Sequence, residues 1–130
     1  MPHLIIESTP GIARLIDFRS LTSTLHERLA AQGHAVLAEL KSRTYTAEQF
    51  LSGDDPTNEF VVVRLLLTKP RSEPVLHEMG RLIHDVVRDD VERIQPAFGW
   101  QCCVLVCDFS GAPYIKTVRD RTHAGSGASA

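Results

Sequence analysis

The chain has 130 residues, the length of a single domain, with 43% hydrophobic and 23% charged residues. Its formal net charge of −2 at pH 7 argues against a nucleic-acid partner, which would need a broad basic surface. No apolar run approaches the roughly 18 residues of a membrane span, and no signal-peptide pattern follows Met1, so we expect a cytoplasmic protein without a membrane partner.

The first predicted element is a strand over residues 3–7, where apolar and polar side chains alternate. Pro2 stands directly before it, so removal of Met1 would make the Pro2 nitrogen a secondary amine at the end of a rigid strand. Such an amine can take up and return a proton if burial and neighbouring cations lower its pKa towards neutrality. The alternative is chance, because proline makes up about 5% of average composition.

The remainder of the first half predicts a loop, a helix and a second strand. Residues 8–11 have the composition of a turn or loop. Either Asp17 or Ser20 can cap the helix that follows, and Gly33 predicts its end. Strand character returns over residues 35–45, so the first half of the chain is predicted to be a β-α-β unit.

The second half repeats this order after a loop at residues 52–58. Residues 60–67 predict a strand whose nearly continuous apolarity indicates burial on both faces. Ser72 can cap a second long helix that ends before Pro96, and residues 100–109 predict the last strand. Two β-α-β units predict an α+β fold in which a four-stranded sheet carries two helices on one face.

The C-terminal part has weaker patterns. A short edge strand is a candidate after Gly111. Residues 119–130 have no apolar period, so we predict a single domain over residues 1–118 and a disordered tail over residues 119–130. Three cysteines, at positions 102, 103 and 107, share one apolar run, which predicts core thiols and favours neither a disulfide framework nor a metal site.

Three segments resemble the 5-carboxymethyl-2-hydroxymuconate Δ-isomerase family of the tautomerase superfamily. They are Pro2-His3-Leu4-Ile5-Ile6-Glu7, Leu40-Lys41-Ser42-Arg43 and Arg71-Ser72, and the likeness covers roughly residues 2–108. The resemblance implies a duplicated β-α-β tautomerase-like fold, a homotrimer, and a role in aromatic compound catabolism. It also implies a cofactor-independent isomerase that moves a proton along a 2-hydroxymuconate-like dicarboxylate and so transposes a C=C bond.

The resemblance further implies the residues of the site. Pro2, after removal of Met1, would act as general base and then general acid, and Arg71 would bind the small anionic substrate. Lys41 and Arg43 are further candidate substrate-binding cations. The family usually has arginine where this chain has Lys41, and lysine lacks the planar fork that holds a carboxylate by two hydrogen bonds. No metal and no cofactor are expected.

Two alternatives stay open on the sequence. The chain could be a non-catalytic oligomeric module of the same fold that binds a small acid or a protein partner. It could also be a tautomerase relative with changed specificity, as Lys41 suggests. A retained Met1 would favour the first alternative, because it keeps the Pro2 nitrogen in an amide.

Overall fold

A computed structural model of the protein describes residues 1–108 and 113–121. Its helices and strands follow one another as β1 (His3–Ser8), α1 (Pro10–Leu15), α2 (Phe18–Ala31), β2 (Lys41–Thr46), β3 (Glu59–Leu67), α3 (Glu73–Ile94) and β4 (Trp100–Asp108). No helix in these ranges is long and apolar enough to cross a membrane.

The four strands form one mixed sheet in the order β2-β1-β3-β4. β2 lies parallel to β1 and β4 lies parallel to β3, while the central pair β1 and β3 is antiparallel. Each parallel pair is joined through a long helix, so two β-α-β units lie side by side. This confirms the predicted duplicated α+β fold with a four-stranded sheet and two long helices.

The first long helix begins and ends as its sequence indicates. Asp17 is the residue that caps α2, because its carboxylate accepts a hydrogen bond of 3.2 Å from the backbone N–H of Ser20. Gly33 follows the helix with a φ of 81°, a backbone conformation that glycine adopts without the steric cost of a Cβ.

The predicted loop at residues 8–11 is wrong, because Pro10 begins the short helix α1. A proline in the first helical turn loses nothing, since its missing N–H would have had no partner within the helix. The Glu59 carboxylate accepts hydrogen bonds from the N–H groups of Gly11 at 2.8 Å and Ile12 at 3.2 Å. A Cβ at Gly11 would lie 2.6 Å from that carboxylate, so a larger residue there would force the Glu59 side chain to shift.

Two further expectations need correction. Within residues 35–45 the strand is confined to the end of the segment, and a 3₁₀ turn over Leu37–Glu39 precedes it. Residues 113–121 contain no strand, so the candidate edge strand after Gly111 is absent from the described part of that segment. Residues 109–112 and most of the predicted tail, 122–130, lie outside the described residues, and the boundary at residue 118 stays a prediction.

The hydrophobic core lies between α2, α3 and one face of the sheet. Leucine side chains of α2 and the alternate residues of β3 that face the helices are fully or almost fully buried: Leu21, Leu25, Leu29, Val61, Val63, Leu65 and Leu67. The intervening residues of β3 are only half-buried, so the predicted burial on both faces is wrong for the single chain. The reason is that both long helices lie on the same side of the sheet.

The other side of the sheet, here called the open sheet face, is not covered by any helix or strand of residues 1–108. From the strand pairings its residues include His3, Ile5, Glu7, Lys41, Arg43, Tyr45, Val62, Arg64, Leu66, Cys103, Leu105 and Cys107. Two of the three cysteines therefore have exposed side chains, against the prediction of core thiols. Cys102 points towards the helices, and burial raises the pKa of its thiol to about 11.

Candidate functional site

A cavity of about 500 Å³ opens at one end of the sheet, where β1 begins and β3 ends. Three segments line it: residues 1–2, residues 33–39 after α2, and residues 68–71 before α3. Antiparallel pairing of His3 with Leu66 brings the start of β1 beside the end of β3. The chain ends that the sheet gathers here thus place residues far apart in sequence around one space.

Pro2 is buried and lines this cavity, and its carbonyl accepts a hydrogen bond of 3.0 Å from the N–H of Lys41. The amine of Met1 donates a hydrogen bond of 2.8 Å to Thr68 Oγ1 and lies 4.0 Å from Glu39 Oε1. Standard bond lengths put the Pro2 nitrogen roughly 3 Å from the Met1 nitrogen. Removal of Met1 would therefore leave a prolyl amine in the same surroundings.

These surroundings favour the neutral form of an amine. The pKa of the Met1 amine is lowered chiefly by burial, with smaller contributions from the positive charges of Lys116, Lys69 and Arg71. The Glu39 carboxylate acts in the opposite direction and raises this pKa, but the net direction is downward. An amine at this place is thus closer to neutrality at physiological pH than a free one.

Arg71 lines the same cavity as Pro2, at the connection between β3 and α3. Its guanidinium donates hydrogen bonds to two backbone carbonyls, those of Lys69 at 2.8 Å and His34 at 3.4 Å. None of the salt bridges between described residues involves Arg71. The backbone contacts hold the guanidinium in place and leave its charge available to an anion in the cavity.

Lys41 and Arg43 are not among the residues that line this cavity. Both belong to the open sheet face, where the Lys41 ammonium donates to the carbonyl of Ala38 at 2.8 Å. The guanidinium of Arg43 lies 3.1 Å from Nδ1 of His3. The structure of one chain brings Pro2 and Arg71 together, and it places the other two candidate cations elsewhere.

Four lining residues with polar or charged side chains were not among the sequence candidates: His34, Glu39, Thr68 and Lys69. Lys69 stands two residues before Arg71, on the connection between β3 and α3. No local pattern marks Glu39 or Thr68, because both reach the site through the tertiary arrangement of the 3₁₀ turn and β3. In residues 1–108 and 113–121, no three His, Cys, Asp or Glu side chains cluster as metal ligands.

A second depression, of about 570 Å³, lies between α3 and the edge strand β4. It contains His77, His84 and Arg81 on the helix side and Val104 and Val106 on the strand side. Neither Pro2 nor any candidate cation of the first cavity lines it, so the two spaces are separate.

Comparison with known proteins gives one family and one fold. A family model described as 5-carboxymethyl-2-hydroxymuconate isomerase matches residues 2–107. A search of curated proteins found no match. A 5-carboxymethyl-2-hydroxymuconate isomerase from Deinococcus radiodurans R1 superposes with a TM-score of 0.76 at 25% identity, over 91% of this chain and 90% of that chain.

Two other solved structures share the fold at lower identity. A 5-carboxymethyl-2-hydroxymuconate delta-isomerase superposes with a TM-score of 0.76 at 17% identity, over 97% of this chain and 93% of that chain. A fused 4-OT described as a symmetric trimer superposes with a TM-score of 0.62 at 13% identity, over 95% of this chain and 98% of that chain.

Proposed function

Because this chain belongs to the 5-carboxymethyl-2-hydroxymuconate isomerase family, we propose that it is a cofactor-independent isomerase acting on a 2-hydroxymuconate-like dicarboxylate. The observation that carries the proposal is that Pro2 and Arg71 line one cavity. A potential proton carrier and a cation for an anionic substrate are the two groups that such a reaction needs.

In the proposed reaction the neutral Pro2 amine, after loss of Met1, acts first as a base. It takes the proton from the enol hydroxyl or from a carbon next to the carbonyl group, and negative charge spreads over the conjugated chain. The prolinium ion then returns the proton to a carbon further along that chain, so the double bonds shift and the amine is regenerated. Arg71 binds a carboxylate and stabilises the charge that develops at the carbonyl-bearing end.

The pKa of the amine supports this assignment. A prolyl amine free in water would be mostly protonated at pH 7 and so could not serve as a base. At the place of the Met1 amine, burial is the main cause that lowers the pKa, and nearby cations act in the same direction. The same effects would hold a share of the Pro2 amine in its neutral form near pH 7.

Oligomerisation into a homotrimer is part of the proposal. The open sheet face of the single chain exposes large apolar side chains, among them Tyr45 and Leu105, and β2 and β4 are the edge strands of the sheet. Association would cover such surfaces. Lys41 and Arg43 lie on this face, so their proposed part in substrate binding would require contact with the cavity of another subunit.

The finer functional assignment follows from the same reaction. A 2-hydroxymuconate-like acid is a ring-cleavage product, so we place the enzyme in the cytoplasmic catabolism of aromatic compounds. The net charge of −2 makes the cationic cavity a local feature of an acidic protein.

The test combines intact mass with turnover. The mass of the protein as produced in cells shows whether Met1 is removed, and ketonisation of 2-hydroxymuconate is followed by its ultraviolet absorbance. We expect Met1 to be absent, and Pro2→Ala, which replaces the secondary amine by a primary one, to lower kcat by about 100-fold or more. Carbamylation of the amine with cyanate should abolish turnover, while Arg19→Gln, an exposed change on α2, should leave it unchanged.

Full activity of Pro2→Ala or of the carbamylated protein would refute the role of the amine. A retained Met1 without turnover would favour the second candidate, a non-catalytic module of the same fold that binds small acids. One observation favours this second candidate: the Met1 amine is itself held in the cavity by a hydrogen bond to Thr68.

A further inference from the structure

Lys69 lines the cavity that contains Pro2 and Arg71. β3 ends at Leu67 and α3 begins at Glu73, so Lys69 and Arg71 belong to one short connection. Pro70 between them fixes its own φ and restricts Lys69 to extended conformations, which limits the motion of this connection.

The side chain of Arg71 is hydrogen-bonded to the backbone of Lys69. The Arg71 guanidinium folds back and donates a hydrogen bond of 2.8 Å to the carbonyl of Lys69. Both residues line the cavity, where Arg71 is half-buried and Lys69 is exposed. No salt bridge between described residues occupies Lys69.

The cavity has a charge asymmetry. Glu39 places a carboxylate 4.0 Å from the Met1 amine on the wall formed by the 3₁₀ turn, while the wall formed by the β3–α3 connection carries two positive charges. An anionic ligand is repelled by the first wall and attracted by the second. Its carboxylates should therefore lie along the connection that contains Lys69 and Arg71.

We propose that Lys69 is a second substrate-binding residue, which contacts one carboxylate of a dicarboxylate while Arg71 contacts the other. This rests on the proposed function, and it assigns the second carboxylate contact to a residue of the same chain and cavity. Lys69 then determines specificity: it favours dicarboxylates over monocarboxylates of the same length. The cavity of one chain thereby holds two cations although Lys41 and Arg43 lie outside it.

The experiment measures binding of two unreactive probes by isothermal titration calorimetry. Muconate is a diene with a carboxylate at each end, and sorbate keeps the diene chain with one carboxylate. We expect the wild-type protein to bind muconate more tightly than sorbate. Lys69→Gln should weaken muconate binding about three- to fivefold, because it removes a partly solvated ion pair, and should leave sorbate binding unchanged. Lys69→Arg should retain the preference, and Arg71→Gln should weaken both probes.

Arg19→Gln is the control, because it removes one positive charge from an exposed position that does not line the cavity. Equal binding of both probes by the wild-type protein, or equal weakening of both by Lys69→Gln, would overturn the proposal. Because the probes do not react, the outcome is independent of the Pro2 test. If Lys69→Gln loses the preference for muconate while the wild-type protein shows no turnover, the role of Lys69 in binding stands and the proposed isomerase activity is rejected.

Discussion

Replacing Glu39 tests how the charges around the proposed proton carrier set the pKa of its amine. Its carboxylate lies 4.0 Å from the Met1 amine and stabilises the protonated form, against the net effect of burial and the nearby cations. A base must be neutral to act, so kcat/KM should rise with pH through the pKa of the amine. Glu39→Gln removes the stabilising anion, and the rise should therefore move to lower pH.

The size of the shift follows from the distance and from the exposure of the pair. The Pro2 nitrogen lies roughly 3 Å from the Met1 nitrogen, so its separation from the Glu39 carboxylate is about 4 to 7 Å. Because the Glu39 side chain is 49% exposed, water screens the interaction between its carboxylate and the amine, and the dielectric constant of bulk water applies to the pair. The interaction is then about 0.6 to 1 kcal/mol, which corresponds to about 0.4 to 0.8 pKa unit.

The assay is the pH dependence of kcat/KM for ketonisation, supported by a nitrogen NMR titration of the Pro2 amine. Glu27→Gln is the matched control, because Glu27 is an exposed glutamate of α2 that does not line the cavity. An unchanged profile, or a shift to higher pH, would refute the reasoning that Glu39 acts on the amine. Added salt should reduce the difference between variant and wild type, because it screens exposed charges.

Two further predictions concern assembly and stability. Leu105→Lys places a charge on the open sheet face and should shift the protein towards monomers in size-exclusion chromatography with light scattering. Leu51→Lys, in an exposed loop, is the control and should not change the oligomeric state. A monomeric wild-type protein at micromolar concentration would contradict the homotrimer. Glu59→Gln weakens the two hydrogen bonds at the start of α1 and should lower the free energy of unfolding, measured in urea, by about 1 to 2 kcal/mol. Glu48→Gln, at an exposed position, is the control. An unchanged midpoint of urea unfolding in Glu59→Gln would mean that those hydrogen bonds do not contribute to stability.

The order of the long elements was predictable because the patterns that specify them are local. Alternation over residues 3–7 predicted β1, and the Asp17 cap and Gly33 stop predicted α2. The same local reasoning fails at Pro10 and Gly11, which predict a loop where the structure has a helix. The helix there depends on the carboxylate of Glu59, a partner far along the chain that no local pattern can reveal.

The sequence by itself supplied the residue types that the proposed proton transfer needs, namely the second-position proline and several cations. Only the tertiary structure decided which of them meet. The antiparallel register of β1 with β3 brings Pro2 beside residues 68–71, and the same pairing of the sheet turns Lys41 and Arg43 to the open face. Local periodicity determines which elements form, but strand register and the side on which the helices pack determine which side chains share a cavity.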